Sequence, residues 1–341
     1  MLGYILRRLL LVIPTFIGIT IVVFTLTRMV PGGPIERMMT AYQMANQQQS
    51  SQHSIAGNTL SEDQLNQLKE YYGFDKPIIE SYFEWLGKLL VLDLGESTRY
   101  YEPVWDNIKD RLPISIFYGV CTLIITYLIA VPLGIYKALK HGEAGDFATS
   151  VIVFLGYAIP NYIVAIALLY TFSFHFEYFP MGGFSSDDFD YLPWQDQVWD
   201  IIRHATLPLI AYISGSFAIM TFMVKNALLD NISAQYVQTA IAKGMTFKQA
   251  VFRHALRNSL IPLATHFGNN ISVILMGSFL IETIFNIDGF GLLGYESLVE
   301  RDYPVVMGIL VISALLTLLG NILSDVCVAL VDPRIRFGAK Q

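Results

Sequence analysis

The segment Ile114–Tyr136, ISIFYGVCTLIITYLIAVPLGIY, contains no Asp, Glu, Lys, Arg or His. A helix crosses the hydrocarbon core of a bilayer with about 20 apolar residues, because each residue adds about 1.5 Å of length. This segment is long enough, and it lacks the stripe of charged residues that a helix of a soluble bundle turns towards water. It therefore predicts a membrane-spanning helix.

Five further segments of the chain share this pattern. They lie near Leu9–Thr27, Ala148–Phe174, Ala205–Val224, Leu260–Ile281 and Pro304–Ser324. Of the 341 residues, 54% are hydrophobic and only 15% are charged, whereas a soluble globular chain has roughly 25% charged residues. We therefore predict an all-α polytopic membrane protein with six transmembrane helices.

The connections between these segments differ in charge. The N-terminus, residues 137–146, residues 225–259 and the tail from residue 325 together contain 12 Lys and Arg and 5 Asp and Glu. The remaining connections contain 10 basic and 23 acidic residues. Because Lys and Arg concentrate in the cytoplasmic loops of membrane proteins, the first set is predicted to be cytoplasmic. Both termini would then lie in the cytoplasm.

Three parts are predicted along the chain. Residues 1–30 hold the N-terminus and first helix, residues 31–113 form an outer segment, and residues 114–341 form the transmembrane core, with a cytoplasmic loop at about 230–260. Within the outer segment, helical spacing is found at Leu65, Leu68 and Tyr72 and again at Tyr82, Trp85, Leu86 and Leu89. We predict a small helical cap on the outer face, between the first and second transmembrane helices.

The chain shows no motif for chemistry of its own. No GxxxxGK[ST], HExxH or CxxC pattern occurs, and the histidines at 175, 204, 254 and 266 are dispersed. We therefore predict no enzymatic activity, no metal site and no bound cofactor. His266 is the single ionisable candidate within the spans, and a histidine hydrogen-bonded between helices accounts for it. Ion-coupled carriers use intramembrane ionisable residues, so any driving force is expected to enter from outside the spans.

The predicted cytoplasmic loop contains Tyr236–Pro262, YVQTAIAKGMTFKQAVFRHALRNSLIP, which has the pattern of two helices joined at a glycine. Ser233 is a candidate N-cap of the first helix. Gly244 is expected to end that helix, because glycine adopts the left-handed conformation at low cost. The apolar face of the first helix would consist of Tyr236, Val237, Ala240 and Ile241.

The second helix of this hairpin is predicted to begin at a T-x-x-Q capping box formed by Thr246 and Gln249. Spacings of i, i+3, i+4 and i+7 define one helix face, which would consist of Phe247, Ala250, Val251 and His254. Positive charge comes from Lys248, Arg253 and Arg257.

A predicted span adjoins the hairpin at each end, so a soluble partner that pushed on the hairpin would move two transmembrane helices at once. A pair of helices lying on the membrane surface is the alternative. A DNA-binding helix-turn-helix is excluded, because the flanking spans hold the hairpin against the bilayer.

The hairpin resembles the cytoplasmic EAA loop of permease subunits of bacterial ABC importers, in the form found in the dipeptide/oligopeptide/nickel family. The resemblance covers essentially the whole chain, including MLGYILRRLLLVIPTFIGITIVVFTLTRMVPGGP, GYAIPNY, LIETIFNIDGFGLLGYESLVERDYPVV and DPRIRFG. Within the family, LPLIA and KNALLDNISAQYV resemble the Yej-type branch of oligopeptide and microcin C importers. Ile241 stands where the family usually has a basic residue, so no salt bridge is expected there.

The resemblance implies a subunit of an ATP-driven importer in the bacterial cytoplasmic (inner) membrane, with peptides as cargo (oligopeptides or dipeptides, or microcin C-like peptides). It implies as partners a second homologous permease, two ATP-binding subunits that carry ATP and Mg, an extracytoplasmic substrate-binding protein and membrane lipid, with no nucleic acid. The alternative is a stand-alone channel or an ion-coupled secondary transporter. Co-purification of ATPase subunits would discriminate between these functions.

By the same resemblance, the hairpin seats in a groove of an ATP-binding subunit. The residues carried over to this coupling role are Tyr236, Ala240, Lys243, Gly244, Arg253, His254, Ala255 and Leu256.

Two further sets of candidate residues concern the pathway and the outer face. Pro160 predicts a kink in the third span, and Tyr157, Pro160 and Asn161 are candidate pathway residues, with a static packed kink as the alternative. Candidate contacts with the binding protein are Asp187, Asp188, Asp190, Glu296 and Glu300. Acids that only solvate the outer loops are the alternative.

Overall fold

The structure is a computed structural model that describes residues 2–29, 76–275 and 277–331. Helices make up most of these ranges, and the only β-type pairing within them is a single bridge between Glu96 and Pro103. The all-α class is therefore confirmed for the described part of the chain. The predicted helix around Leu65–Tyr72 lies outside the described residues.

Two of the described helical stretches contain π-helical turns. In chain order the described helices are α1 (Leu2–Met29), α2 (Ile78–Leu90), α3 (Val104–Leu139), α4 (Ala144–Ala158), α5 (Asn161–Leu168, continued by the π-helical turn Leu169–His175), α6 (Trp194–Ile232), α7 (Gln235–Ala242), α8 (Phe247–Ala250, continued by the π-helical turn Val251–Ala255), α9 (Leu256–Ser259), α10 (Ile261–Leu275), α11 (Phe279–Ile284), α12 (Phe290–Val299) and α13 (Tyr303–Val331).

Four of the described helices are long and apolar enough to cross a membrane, namely α1, α3, α6 and α13. The pair α4 and α5 would supply a fifth span. Each of these contains one of the predicted segments. The segment predicted at Leu260–Ile281 is divided between α10 and the short helix α11. The described chain thus has the helices of a polytopic membrane protein, and a count of six spans stays a prediction.

The third predicted span is broken rather than kinked. Helices α4 and α5 meet at an angle of 95°. Ile159 between them has an extended backbone, with φ −88° and ψ 121°, as expected for a residue that precedes proline. The carbonyl of Pro160 accepts hydrogen bonds from the amides of Ile163 (3.0 Å) and Val164 (3.2 Å). Pro160 therefore begins a new helix instead of bending one that continues through it.

The chain divides into two compact units. One comprises Met1–Val12, Arg111–Leu292 and Leu315–Gln341, and the other comprises Ile13–Asp110 and Leu293–Ala314. The predicted cytoplasmic hairpin lies in the first unit. The described part of the predicted outer cap lies in the second.

Helix α6 is the centre of the first unit, and small residues let its neighbours approach closely. A Cβ added to Gly134 of α3 would lie 2.8 Å from the carbonyl oxygen of Thr221, and one added to Gly156 of α4 would lie 2.7 Å from the ring of Phe217. Membrane helices associate through such close contacts, because lipid provides no hydrophobic driving force between them. Helices α3 and α4 are thus held against α6.

In the second unit, α2 packs on α1. The hydroxyls of Tyr82 and Thr20 are hydrogen-bonded at 3.0 Å, and the ring of Phe24 lies 5.5 Å from those of Tyr82 and Trp85. The helix predicted from the spacing of Tyr82, Trp85 and Leu89 is therefore present in the structure.

Candidate coupling site

The turn of the predicted cytoplasmic hairpin is built around Gly244, which has a φ of +95°. The Gly244 amide donates to the carbonyl of Ile241 (2.9 Å), and the Met245 amide donates to that of Ala240 (3.2 Å). These bonds satisfy carbonyls that the end of α7 leaves without intrahelical partners. Gly244 thus ends the first helix, as predicted.

The start of the second helix is also as predicted, whereas the start of the first is not. The Gln249 amide donates to Thr246 Oγ1 (3.3 Å), and the Thr246 amide donates to Gln249 Oε1 (3.1 Å), which completes the capping box. Ser233 does not cap α7. Its hydroxyl donates back to the carbonyl of Leu229 at 3.1 Å, because Ser233 still has helical backbone angles at the end of α6.

The buried face of the second helix is shifted from the predicted one. Ala250, Val251 and Ala255 are buried, His254 is only half-buried, and Phe247 at the hairpin tip is 50% exposed. The π-helical turn Val251–Ala255 explains the shift to Ala255, because a wider turn adds one residue before the helix returns to the same face. The predicted face was therefore correct at Ala250 and Val251 and wrong at Phe247 and His254.

The hairpin has its own small core. The buried side chains of Val237, Ala250, Val251 and Ala255 pack with Ala138 of α3 and Leu228 of α6. Ala240 and Ile241 lie partly buried against this cluster. The hairpin is therefore anchored on the ends of α3 and α6, rather than resting on the surrounding surface through charges alone.

Side-chain hydrogen bonds attach both helices of the hairpin to the end of α6. The Tyr236 hydroxyl donates to Asn231 Oδ1 (2.5 Å) and accepts from Asn258 Nδ2 (3.0 Å). The Ser259 hydroxyl donates to the carbonyl of Ala227 at 3.1 Å. Tyr236 therefore joins the two helices, which is a packing role beside its candidate coupling role.

The outward face of the hairpin is basic with an aromatic centre. Exposed side chains on it are Lys243, Phe247, Lys248, Phe252, Arg253 and Arg257. No Asp or Glu occurs between Asp230 and Glu282 in the sequence. Phe252, which is 46% exposed, was not among the predicted coupling residues, although its position outside the predicted buried face already indicates an outward side chain. We call these six residues the hairpin face.

The predicted coupling residues divide between this face and the hairpin interior. Lys243, Gly244 and Arg253 are exposed, whereas Ala240, His254 and Leu256 are half-buried. Ala255 is fully buried and supports the hairpin core instead of offering a contact surface.

The predicted pathway residues all lie at the break between α4 and α5. Tyr157 is 60% exposed, Pro160 is exposed, and Asn161 is half-buried as the first residue of α5. Their proximity follows from their closeness in sequence.

The predicted outer contacts differ in their surroundings. Asp187, Asp188 and Asp190 are exposed in the connection before α6. Glu296 and Glu300 instead contact Arg99, with its Nη1 at 2.6 Å from Glu296 Oε2 and its Nε at 2.9 Å from Glu300 Oε2. These two glutamates are thus partly neutralised within the chain.

Arg99 belongs to a turn, in the segment predicted to lie on the outer face, that is held by a buried carboxylate. Burial by itself would lower the pKa of Arg99, but the hydrogen bond with Glu296 and the nearby acids raise it above the ordinary value. Asp302, which is fully buried, accepts hydrogen bonds from the Ser97 hydroxyl and from the amides of Thr98 and Arg99, both at 3.2 Å. The turn is therefore fixed to the start of α13.

Within residues 2–29, 76–275 and 277–331, no three His, Cys, Asp or Glu side chains lie close enough together to hold a metal ion. The arrangement of the hairpin is that of a contact surface, since its exposed groups are long cations and aromatic rings around a packed apolar core.

Comparisons with known proteins identify the family of the chain. Residues 130–337 match the family described as "Binding-protein-dependent transport system inner membrane component". The inner membrane ABC transporter permease protein YejB of Escherichia coli O157:H7 is 39% identical over 359 aligned residues, covering 98% of this chain and 99% of that protein.

Two further relatives are similar over their full lengths. The peptidoglycan transport system permease protein YejB of Agrobacterium fabrum is 38% identical, with 98% of each chain covered. The oligopeptide transport system permease protein AppB of Bacillus subtilis is 33% identical, with 99% of this chain and 100% of that protein covered. The chain therefore belongs to the family of binding-protein-dependent transport system inner membrane components, as a multi-pass permease of the cytoplasmic membrane.

Proposed function

We propose that the chain forms half of the translocation pathway of an ATP-driven peptide importer. The full-length similarity to an oligopeptide transport system permease supports this cargo class. In this proposal the chain has six spans with both termini in the cytoplasm. It pairs with a second homologous permease, while two partner subunits bind ATP and Mg and an extracytoplasmic binding protein delivers the peptide.

The observation that carries the proposal is the hairpin face. Its two aromatic side chains, Phe247 and Phe252, are 50% and 46% exposed among four cations, although the hairpin beneath them is fully packed. Aromatic residues, phenylalanine included, and arginine are enriched in protein interfaces relative to the rest of the surface. A surface of this kind on a cytoplasmic loop suits a soluble subunit with an apolar groove and an acidic rim. A channel or an ion-coupled carrier would have no need of it.

The experiment is co-purification of the tagged chain with its ATPase subunits, followed by ATPase assays of the reconstituted complex. We expect ATPase subunits to be recovered with the wild-type chain, and their activity to rise when loaded binding protein is added. Changing Phe252→Asp should reduce recovery, because it places an acid beside the acidic rim and removes the aromatic contact. Tyr191→Asp is the matched control, since Tyr191 is 90% exposed in the connection before α6 and outside the hairpin.

The assignment of the hairpin as the docking element would be contradicted if both variants recovered fewer ATPase subunits than wild type. It would also be contradicted if neither variant did. A wild-type chain that purifies without any ATPase and still transports would favour the channel or carrier. Transport assays with labelled oligopeptides and with peptidoglycan fragments would then define the cargo.

A further inference from the structure

Three charged side chains from three helices meet in the interior of the first unit. Lys137 lies near the end of α3, Asp146 in the first turn of α4 and Lys225 near the end of α6. The Lys137 side chain has no exposed surface, and those of Asp146 and Lys225 are only 8% and 11% exposed. We call them the lysine–aspartate cluster.

Asp146 is the centre of this cluster. Its Oδ1 accepts from the ammonium groups of both Lys137 and Lys225 at 2.8 Å, and its Oδ2 accepts from Lys225 at 2.8 Å. The Gly142 amide (3.3 Å) and Nδ1 of the exposed His141 (3.1 Å) also contact Oδ2. One carboxylate thus joins the turn between α3 and α4 to a helix 79 residues further along the chain.

The remaining hydrogen bonds of Lys137 all go to α4. Its ammonium group donates to the backbone carbonyl of Asp146 (2.9 Å), to Thr149 Oγ1 (3.1 Å) and to Ser150 Oγ (2.6 Å). Lys137 therefore fastens α3 to α4, and the link from this pair to α6 depends on Asp146 and Lys225.

The charges of the cluster do not cancel. Two lysines face one aspartate, and within the described residues no other carboxylate forms a salt bridge with either lysine. Removing one partner of a buried ion pair is strongly destabilising, because it leaves a buried charge uncompensated. Removing a matched pair is far less costly.

The cluster lies directly beside the base of the hairpin. Ala138, which follows Lys137, and Leu228, one turn after Lys225, both belong to the hairpin core. Helix α6 continues from Lys225 to Ile232, and α7 of the hairpin begins at Gln235. A displacement of the hairpin therefore reaches the cluster through less than three turns of α6.

We infer that Asp146 is a positioning residue for coupling, one that makes α3 and α4 move together with α6 when the hairpin is displaced. This inference rests on the proposed function of the hairpin. Without the carboxylate, α6 keeps its apolar contacts with α3 and α4 but loses the bonds that oppose sliding. The hairpin then moves α6 alone, and the pathway helices no longer follow ATP binding.

The experiment compares Asp146→Asn, Lys225→Gln and the double variant in the complete reconstituted transporter. Thermal stability and the stimulation of ATPase activity by loaded binding protein are measured for each. Asp146→Asn should lower both, since it leaves two unmatched lysines. The double variant should regain part of this stability, because one unmatched buried lysine remains instead of two, but its stimulation should stay about fivefold or more below wild type, the lower end of typical coupling between sites.

Two variants in the same turn serve as controls. Glu143→Gln breaks the exposed pair of Lys140 and Glu143, whose side chains are 50% and 58% exposed, and should change neither property. Asp146→Glu keeps the charge and should restore part of the stimulation that Asp146→Asn loses.

The inference is overturned if the double variant regains stimulation together with stability, because the cluster would then have a structural role only. It is also overturned if Lys225→Gln leaves stimulation unchanged. Absence of stimulation in the wild-type transporter would instead contradict the proposed function, so the two failures are distinguishable.

Discussion

Gly244 is the residue on which the shape of the hairpin turn depends. Its φ of +95° is unfavourable for residues with a side chain, and no atom lies within 4 Å of an added Cβ. The cost of a substitution is therefore backbone strain alone, about 1–2 kcal/mol for a residue in the left-handed region. We expect Gly244→Val to lower stimulation of the ATPase by binding protein while the chain still inserts and assembles.

Two variants test this reasoning. Gly244→Asn should be milder, because asparagine visits the left-handed region more readily than valine. Gly87→Val is the matched control, since Gly87 also has free space around it but lies within α2. Equal stimulation in Gly244→Val and wild type would refute the dependence of coupling on this turn.

Buried hydroxyls on α3 lead to a second prediction about single residues, which concerns thermal stability. The hydroxyls of Tyr118, Thr122 and Thr126 are buried and have no hydrogen-bond partner among the described residues. A buried hydroxyl without a partner costs free energy. Thr122→Val should therefore leave thermal stability unchanged or raise it. Thr221→Val is the control, because that hydroxyl donates to the carbonyl of Phe217 at 2.7 Å, and its loss should cost about 0.5–1.5 kcal/mol.

A clear loss of stability in Thr122→Val would mean that its hydroxyl has a partner such as an ordered water. A loss of transport with unchanged stability would place the hydroxyl in the pathway. Both outcomes are read from a thermal unfolding assay and a peptide uptake assay on the same preparations.

At the scale of elements, the break between α4 and α5 leads to a prediction about access from water. Two helices that meet at 95° can change their angle more easily than one continuous helix, because no helical hydrogen bonds cross the break. With Cys121 and Cys327 replaced by serine, Asn161→Cys should react with an aqueous thiol reagent at different rates with and without bound ATP. Ala165→Cys, one turn further along and fully buried, should react slowly in both states. If the cysteine at position 161 reacts at the same rate with and without bound ATP, the break at Pro160 has a structural role only.

The hairpin shows which features of an element can be predicted from sequence. Gly244 and the Thr246–Gln249 box were predicted correctly, since both depend on neighbouring residues and local backbone geometry. The burial of Ala255 in place of His254 was not predicted, because it accompanies a π-helical turn that the local sequence pattern does not reveal. A period of 3.6 residues cannot indicate where one turn widens.

At the scale of the whole molecule, the outer acids predict how the chain meets its binding protein. Asp187, Asp188 and Asp190 are exposed and would attract a basic rim through long-range steering. Association should slow as ionic strength rises, since screening acts over about 8 Å at physiological salt. Changing all three to asparagine should flatten this dependence, as measured by binding kinetics in lipid nanodiscs.

The control for this prediction also tests the orientation of the chain. Glu143→Gln and Asp230→Asn remove acids from connections predicted to be cytoplasmic, so they should leave the salt dependence of binding-protein association unchanged. If the association rate of the triple asparagine variant depends on ionic strength as that of wild type does, the loop acids only solvate the outer surface.

The sequence alone determined the class of this protein and predicted the side of the membrane on which each partner binds. Long runs without charge can be satisfied only as buried or membrane-spanning helices, and the distribution of Lys and Arg predicts which connections are cytoplasmic. Local signals placed the hairpin turn at Gly244. The family followed from motifs spread over the whole chain, which the full-length similarity confirmed.

Only the tertiary structure decided which charges are buried together. Glu282 and Asp302 count among the outer acids in the sequence, yet they are 1% and 0% exposed. Asp146 and Lys225 lie 79 residues apart, and nothing in their local sequence distinguishes them from charges at the ends of other spans. Pairing of this kind depends on how α3, α4 and α6 pack, because a charge is retained in the interior only where the fold brings it a partner.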